Sequence, residues 1–149
     1  AATLATQWDK RAEIWKGCAI WNPDAPTIIP VRCGYSPLLS TTGGWPKAVQ
    51  ESGWRIAVQY IADAVAATGA NYAIVGCGAL SLPIAYMLKG RGISTIHMGG
   101  ATQILFGIKG RRWLSHNAIS TFFNDAWVFP AADEVPTAAD AVEHGCYWG

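Results

Sequence analysis

Apolar residues recur along this chain with two different periods. Within residues 3–16 (TLATQWDKRAEIWK), Leu4, Trp8 and Trp15 fall close to one stripe, with Ala12 and Ile14 beside it and Gly17 after it. That spacing predicts an amphipathic helix. Turn chemistry follows at Asn22-Pro23-Asp24-Ala25-Pro26, and TIIPVRC (27–33) predicts a short β-branched strand, held to an edge by Pro30. Gly34 to Trp45 reads as a long loop of the kind that often carries function. Pro46 suits the first turn of a helix, where a missing N–H costs nothing. From there to Thr68, the positions Trp54, Val58, Ile61 and Val65 keep helical spacing, and Gly69 supplies a cap.

The stretch Asn71–Trp113 then alternates strand, glycine turn and helix twice. Residues 72–77 (YAIVGC) form a continuous apolar run, as a central parallel strand does. A helix is expected over 79–89 with Gly90 at its end, a second strand over 93–97 (ISTIH), and a further helix over 101–108 closed by Gly110. Alternation with such short links predicts a parallel sheet. After Trp113 the periodicity fades into an aromatic patch (Phe122, Phe123, Trp127, Phe129), prolines and the closing VEHGCYW. The expected fold class is α/β: a three-layer Rossmann-like domain with a mainly parallel sheet, lacking N-terminal elements of a longer protein. One domain spans 1–149, with its core at 27–113 and an irregular acidic segment at 114–149.

Composition narrows this picture. Hydrophobic residues make up 51% of the 149 and charged ones 14%, which excludes a disordered chain. Residues 64–88 carry no charge, yet Gly69, Asn71, Gly76, Gly78, Ser81 and Pro83 interrupt them, so no transmembrane segment is expected. No secretory signal is visible, which points to a cytoplasmic protein. The four cysteines (18, 33, 77, 146) contain no CxxC pair and no histidine at ligand spacing. They read as reduced thiols behaving as small hydrophobes, and no structural metal site is expected.

The net charge of +1 conceals a polarised chain. Between residues 64 and 124 lie Lys89, Arg91, Lys109, Arg111 and Arg112 and no acid; from 125 to 149 lie Asp125, Asp133, Glu134, Asp140 and Glu143 and no Lys or Arg. A basic middle and an acidic tail either neutralise each other or leave an anion site. The expected partner is an anionic small molecule rather than a nucleic acid, and a homo-oligomer is compatible with the pattern.

Candidate chemistry gathers at the two glycine turns. Gly76-Cys77-Gly78-Ala79-Leu80-Ser81 is GxGxxS, one residue away from the dinucleotide fingerprint. The acid expected at the tip of the next strand is missing, since that tip is His97-Met98-Gly99-Gly100. This counts against a nicotinamide-dependent oxidoreductase. Gly99-Gly100-Ala101-Thr102-Gln103 repeats the strand-to-helix geometry with a hydroxyl in the first helical turn, where backbone N–H groups favour anions. Gly76, Gly78, Ser81, Gly99, Gly100, Thr102, Gln103, Lys109, Arg111 and Arg112 are therefore the candidate ligand-binding residues. His97, at a strand's carboxyl end, and Glu143, beside His144, are the candidate bases; Asp133-Glu134 is the other acidic grouping.

The run VGCGALSLPIAYMLKGRGISTIHMGGATQILFGIKGRRW, together with VEHGCYW, resembles an uncharacterised bacterial family associated with surface-polysaccharide biosynthesis. Its members carry a similar GGATQLLFGIKGRRW core, a Trp-Pro segment and a closing GCYW. The chain is also distantly similar to D-type glycosyltransferases, which have a Rossmann-like α/β domain. The likeness covers residues 72–113 and 127–148, more weakly 34–68. It implies a nucleotide-sugar site on Gly76–Ser81 and Gly99–Gln103, used in sugar transfer with or without a divalent metal. The DxE motif of the D-type enzymes is absent, which leaves open a non-catalytic nucleotide- or sugar-binding accessory subunit.

Overall fold

The computed structural model describes residues 2–21, 24, 26–34, 45–137 and 139–149. Within it the chain divides into two compact units: Ala1–Pro30 with Gln103–Val135 and Ala139–Gly149, and Val31–Thr102 with Pro136–Ala138. We call these the peripheral-sequence unit and the central unit.

The central unit is built from α3 (Lys47–Ser52), α4 (Trp54–Ala66), β1 (Tyr72–Val75), α5 (Ser81–Gly90), β2 (Ser94–His97) and the first residues of α6 (Ala101–Leu105). The single helix expected over 46–68 is two helices. Gly53 sits at φ +82°, a left-handed conformation that only glycine adopts cheaply, and the chain turns there. The break shifts the buried stripe of α4 to Ala57, Val58, Ile61 and Ala62 and leaves Trp54 about half exposed.

β1 and β2 pair in parallel, from Tyr72 opposite Ser94 to Val75 opposite His97. The unit's core gathers Trp45, Val49, Val58, Ile61, Val75, Ile84, Leu88 and Ile93. Tyr72, Ile74 and Ile96 remain exposed on the other side of the strands. Among the described residues the fold is thus mixed helix and strand, with a small two-stranded parallel sheet in the central unit. Residues 27–33 were expected to add a strand. The described residues there form no strand, because a β-branched run becomes one only when another strand pairs with it. The loop expected over 34–45 lies, for residues 35–44, outside the described residues.

The peripheral-sequence unit contains α1 (Ala2–Asp9), α2 (Arg11–Ile14), α7 (Arg111–Leu114) and four short 3-10 turns. The helix expected over 3–16 is interrupted at Lys10, and the 101–108 helix ends at Leu105. Gly107 explains the second difference. It takes φ +65°, and a Cβ there would lie 2.6 Å from Ile14 Cγ2. Ile14, Trp15 and Trp127 form the apolar centre, with Trp21, Ile104 and Phe123 against it. Of the eight tryptophans, Trp8, Trp15, Trp21, Trp113, Trp127 and Trp148 belong to this unit, and Trp45 and Trp54 to the central one.

Candidate functional site

Parallel register puts the two glycine turns side by side at the carboxyl end of the strands. Val75 lies opposite His97, and the Met98 N–H donates to the Val75 carbonyl at 3.0 Å, so both chains leave the sheet together. Gly76 is where they touch: a Cβ there would fall 2.5 Å from Thr102 Oγ1 and 3.0 Å from the Gly99 carbonyl oxygen. The first glycine of the motif thus admits the second turn. Gly78 is explained differently, by φ +54° with open space around it.

The polar groups divide between the interior and the surface. Ser81 is fully buried, and its Oγ accepts the Cys77 N–H at 2.8 Å, which closes the first turn from inside. In the second turn, the Ala101 and Thr102 N–H groups donate to the Met98 and Gly99 carbonyls at 3.1 and 3.2 Å. These are amides that a helix start would otherwise offer to a ligand. Thr102 Oγ1 faces Gly76, buried and without a hydrogen-bond partner among the described residues. The amides of Gly78, Ala79, Gly99 and Gly100 donate to no acceptor among the described residues.

His97 lies over this end of the sheet. Its Nδ1 is 3.3 Å from the Val75 carbonyl oxygen, and its Cε1 is 3.7 Å from where a Gly99 Cβ would be. A carbonyl only accepts, so in this bond Nδ1 donates and Nε2 is left outside it. The side chain sits on an exposed residue, within reach of the second turn.

The other candidates belong to the peripheral-sequence unit, since the division falls between Thr102 and Gln103. There the GRRW and GCYW strings meet. The Arg111 N–H donates to the Trp148 carbonyl at 3.2 Å, the Arg112 N–H to that of Cys146 at 3.0 Å, and Gln103 Nε2 to that of Tyr147 at 2.8 Å. Arg112 pairs with Glu143 at 3.3 Å and lies over the rings of Trp113 and Tyr147, at 5.0 and 4.9 Å. The Tyr147 hydroxyl donates to the other Glu143 oxygen at 3.0 Å. Burial, and then this bond to Glu143, push the Tyr147 phenol up. Lys109 places its ammonium over Phe123 and Phe129, at 5.6 and 5.9 Å.

Glu143, His144 and Gly145 run consecutively through left-handed backbone, at φ 47°, 55° and 70°. The two non-glycines cost on the order of 1–3 kcal/mol each, which the grip of Arg112 and Tyr147 on Glu143 helps to offset. Glu143 therefore ties the tail to α7. Here one acid of the tail, Glu143, and one base of the middle segment, Arg112, pair at close range.

The thiols of Cys33 and Cys77 lie 3.3 Å apart, Cys77 donating. Nothing in the sequence signals this, because the two are 44 positions apart and share no motif. Among the described residues no group of three or more His, Cys, Asp or Glu side chains is placed to hold a metal ion. No helix among them is long and apolar enough to cross a membrane. A shallow open groove of about 560 Å³ runs beside Tyr86, Lys89 and Ser94, at the opposite end of β2 from the glycine turns. Comparisons with family models, curated proteins and solved structures returned no match.

Proposed function

We propose that the carboxyl end of β1 and β2 binds the diphosphate of a nucleotide-sugar, and that the protein transfers the sugar in the cytoplasm during surface-polysaccharide synthesis. The observation that carries this reading is the pair of adjacent turns with four amides, Gly78, Ala79, Gly99 and Gly100, that have no acceptor among the described residues. Backbone N–H groups of that kind are aimed donors for phosphate oxygens. His97, with Nε2 outside its bond to Val75, would take the proton of the acceptor hydroxyl. β1 and β2 would then be central strands of a three-layer Rossmann-like sheet, in keeping with parallel strands being covered on both faces. The side chains described offer no metal set, so any divalent ion would be held chiefly by the donor's own phosphates.

A second reading, a nucleotide- or sugar-binding accessory subunit without catalysis, is favoured by the engagement of both Glu143 oxygens and by the missing DxE. The test is a melt of the full chain, read by far-ultraviolet circular dichroism, with UDP-, GDP-, CMP- and dTDP-sugars, with and without manganese. At least one should raise the midpoint; no shift from any would sink both readings. If a donor binds, His97→Ala should keep the shift and lower transfer by roughly 10²–10⁴-fold, the usual contribution of a general base. Binding with no transfer in the unsubstituted protein selects the accessory role.

A further inference from the structure

Cys33 lies before α3 in the chain, and Cys77 is the middle residue of the Gly76–Gly78 turn. Both side chains pack half-buried against the central unit's apolar core, with their sulfurs 3.3 Å apart. Nothing in the proposed ligand site uses either thiol. We propose that Cys33 and Cys77 form a redox-active dithiol, a site of reversible disulfide formation whose oxidant is a low-molecular-weight disulfide of the glutathione class.

The geometry needs little adjustment. A disulfide holds its sulfurs about 2.05 Å apart, so the thiols must close by roughly 1.3 Å, within the reach of small χ1 rotations. Roles follow from the hydrogen bond. Donation from Cys77 lowers Cys33 to about 7, against the opposing effect of burial, and the same contact followed by burial raises Cys77. Cys33 is thus the attacking thiolate and Cys77 the resolving thiol.

The Cys33 thiolate attacks one sulfur of the small disulfide. Its S–S bond breaks, one small thiolate leaves with the electron pair, and Cys33 carries a mixed disulfide. Cys77 gives its proton to that departing thiolate and attacks Cys33 Sγ, expelling the second small thiolate. The protein gains one Cys33–Cys77 bond and loses two electrons, which reduce the small disulfide to two thiol(ate)s. The product fastens residue 33 to a turn whose backbone is already held by Ser81. Cys18 is exposed and Cys146 lies 3.7 Å from Glu143, so both serve as internal controls.

The full chain is incubated across a series of glutathione to glutathione-disulfide ratios. Remaining thiols are then blocked with N-ethylmaleimide, and the protein is digested and mapped by mass spectrometry. A peptide linking Cys33 to Cys77 should appear as the ratio becomes oxidising and vanish on adding dithiothreitol. Cys77→Ala should trap glutathione on Cys33, whereas Cys33→Ala should leave Cys77 largely unmodified. Absence of the linked peptide from the unsubstituted protein at the most oxidising ratio overturns the proposal, as does preferential linkage of Cys77 to Cys18 or Cys146.

Discussion

Thr102 Oγ1 occupies the space that a side chain at Gly76 would need, 2.5 Å from the position of its missing Cβ. Two turns that a sequence reader takes as separate motifs are therefore one packed unit. Gly76→Ala forces either the Thr102 side chain or the Gly99 carbonyl to move. Overpacking of this kind costs about 1–3 kcal/mol, and denaturant unfolding should show a loss in that range. Adding Thr102→Ala removes the closest atom and should recover part of the loss. Full stability in Gly76→Ala alone would contradict the contact.

The Thr102 hydroxyl itself is buried without a partner among the described residues. A buried, unmet hydroxyl is unfavourable, so replacing it with an isosteric methyl removes a penalty. Thr102→Val should be neutral or stabilising by about 1 kcal/mol, measured from urea midpoints. A clear destabilisation would mean that the hydroxyl has a partner.

Cys33 supplies a pH prediction. Its thiol is lowered to about 7 by donation from Cys77, burial acting the other way. The rate of Cys33 alkylation by iodoacetamide, followed by peptide mass, should therefore rise with a midpoint near 7. In Cys77→Ala the donor is gone, and the midpoint should move up toward the ordinary thiol value of about 8.5. An unchanged midpoint would show that Cys77 does not set it.

Glu134 acts as a cap supplied from a distant part of the chain. Its carboxylate accepts the Ala2 N–H at 2.9 Å and the Thr3 N–H at 3.3 Å, together with the Thr3 hydroxyl, at the start of α1. Burial pulls its pKa upward, but the donors at the helix start, Thr3 among them, outweigh it and hold the carboxyl below its ordinary 4.5. A lowered pKa stabilises the fold in full above that ordinary value and loses its effect as pH falls below it. Glu134→Gln should reduce the melting temperature at pH 7, with the gap to the parent protein narrowing progressively below about pH 4.5. A gap independent of pH would mean that charge is not what Glu134 contributes.

Gln7 is the most deeply buried polar residue of α1. Its Nε2 donates to the carbonyls of Ala126 at 2.8 Å and Gly107 at 3.2 Å. Gln7→Leu takes the side-chain donor from the Ala126 carbonyl, while the Gly107 carbonyl keeps the Val128 N–H at 3.1 Å. The lost hydrogen bond costs about 1 kcal/mol, so unfolding should begin at correspondingly lower denaturant. Unchanged stability would place the anchor of α1 elsewhere.

How much of this could be read from the sequence depends on how local each cause is. β1 is legible because a continuous apolar run suits a parallel strand, β2 because a short segment with Ile93 and Ile96 lies between two glycine turns, and both form close to where the sequence puts them. Helix positions are legible too, but not their breaks, since the apolar stripe continues past Lys10 and Gly53 without marking where the backbone turns. Residues 27–33 have strand composition without a strand, because pairing is a property of two segments and composition of one. At the candidate site, the nearness of the two turns follows from parallel pairing. The inward direction of the Ser81 and Thr102 hydroxyls does not, since nothing local says which side of a turn faces the core. Gln7 and Cys33 are further cases: each owes its role to residues that only the folded chain brings near.

The uneven distribution of indoles between the units gives the protein an internal optical label. Six of eight tryptophans lie outside the central unit, and Trp15 and Trp127 meet edge to face at 5.3 Å in the middle of the other. Intrinsic fluorescence will thus follow mainly the melting of one half of the molecule. A ligand seated on the Gly76 and Gly99 turns could stabilise its own half and scarcely move the emission. Comparing a fluorescence melt with a backbone-absorbing signal on one sample tells whether the two halves melt together or apart, without cutting the chain.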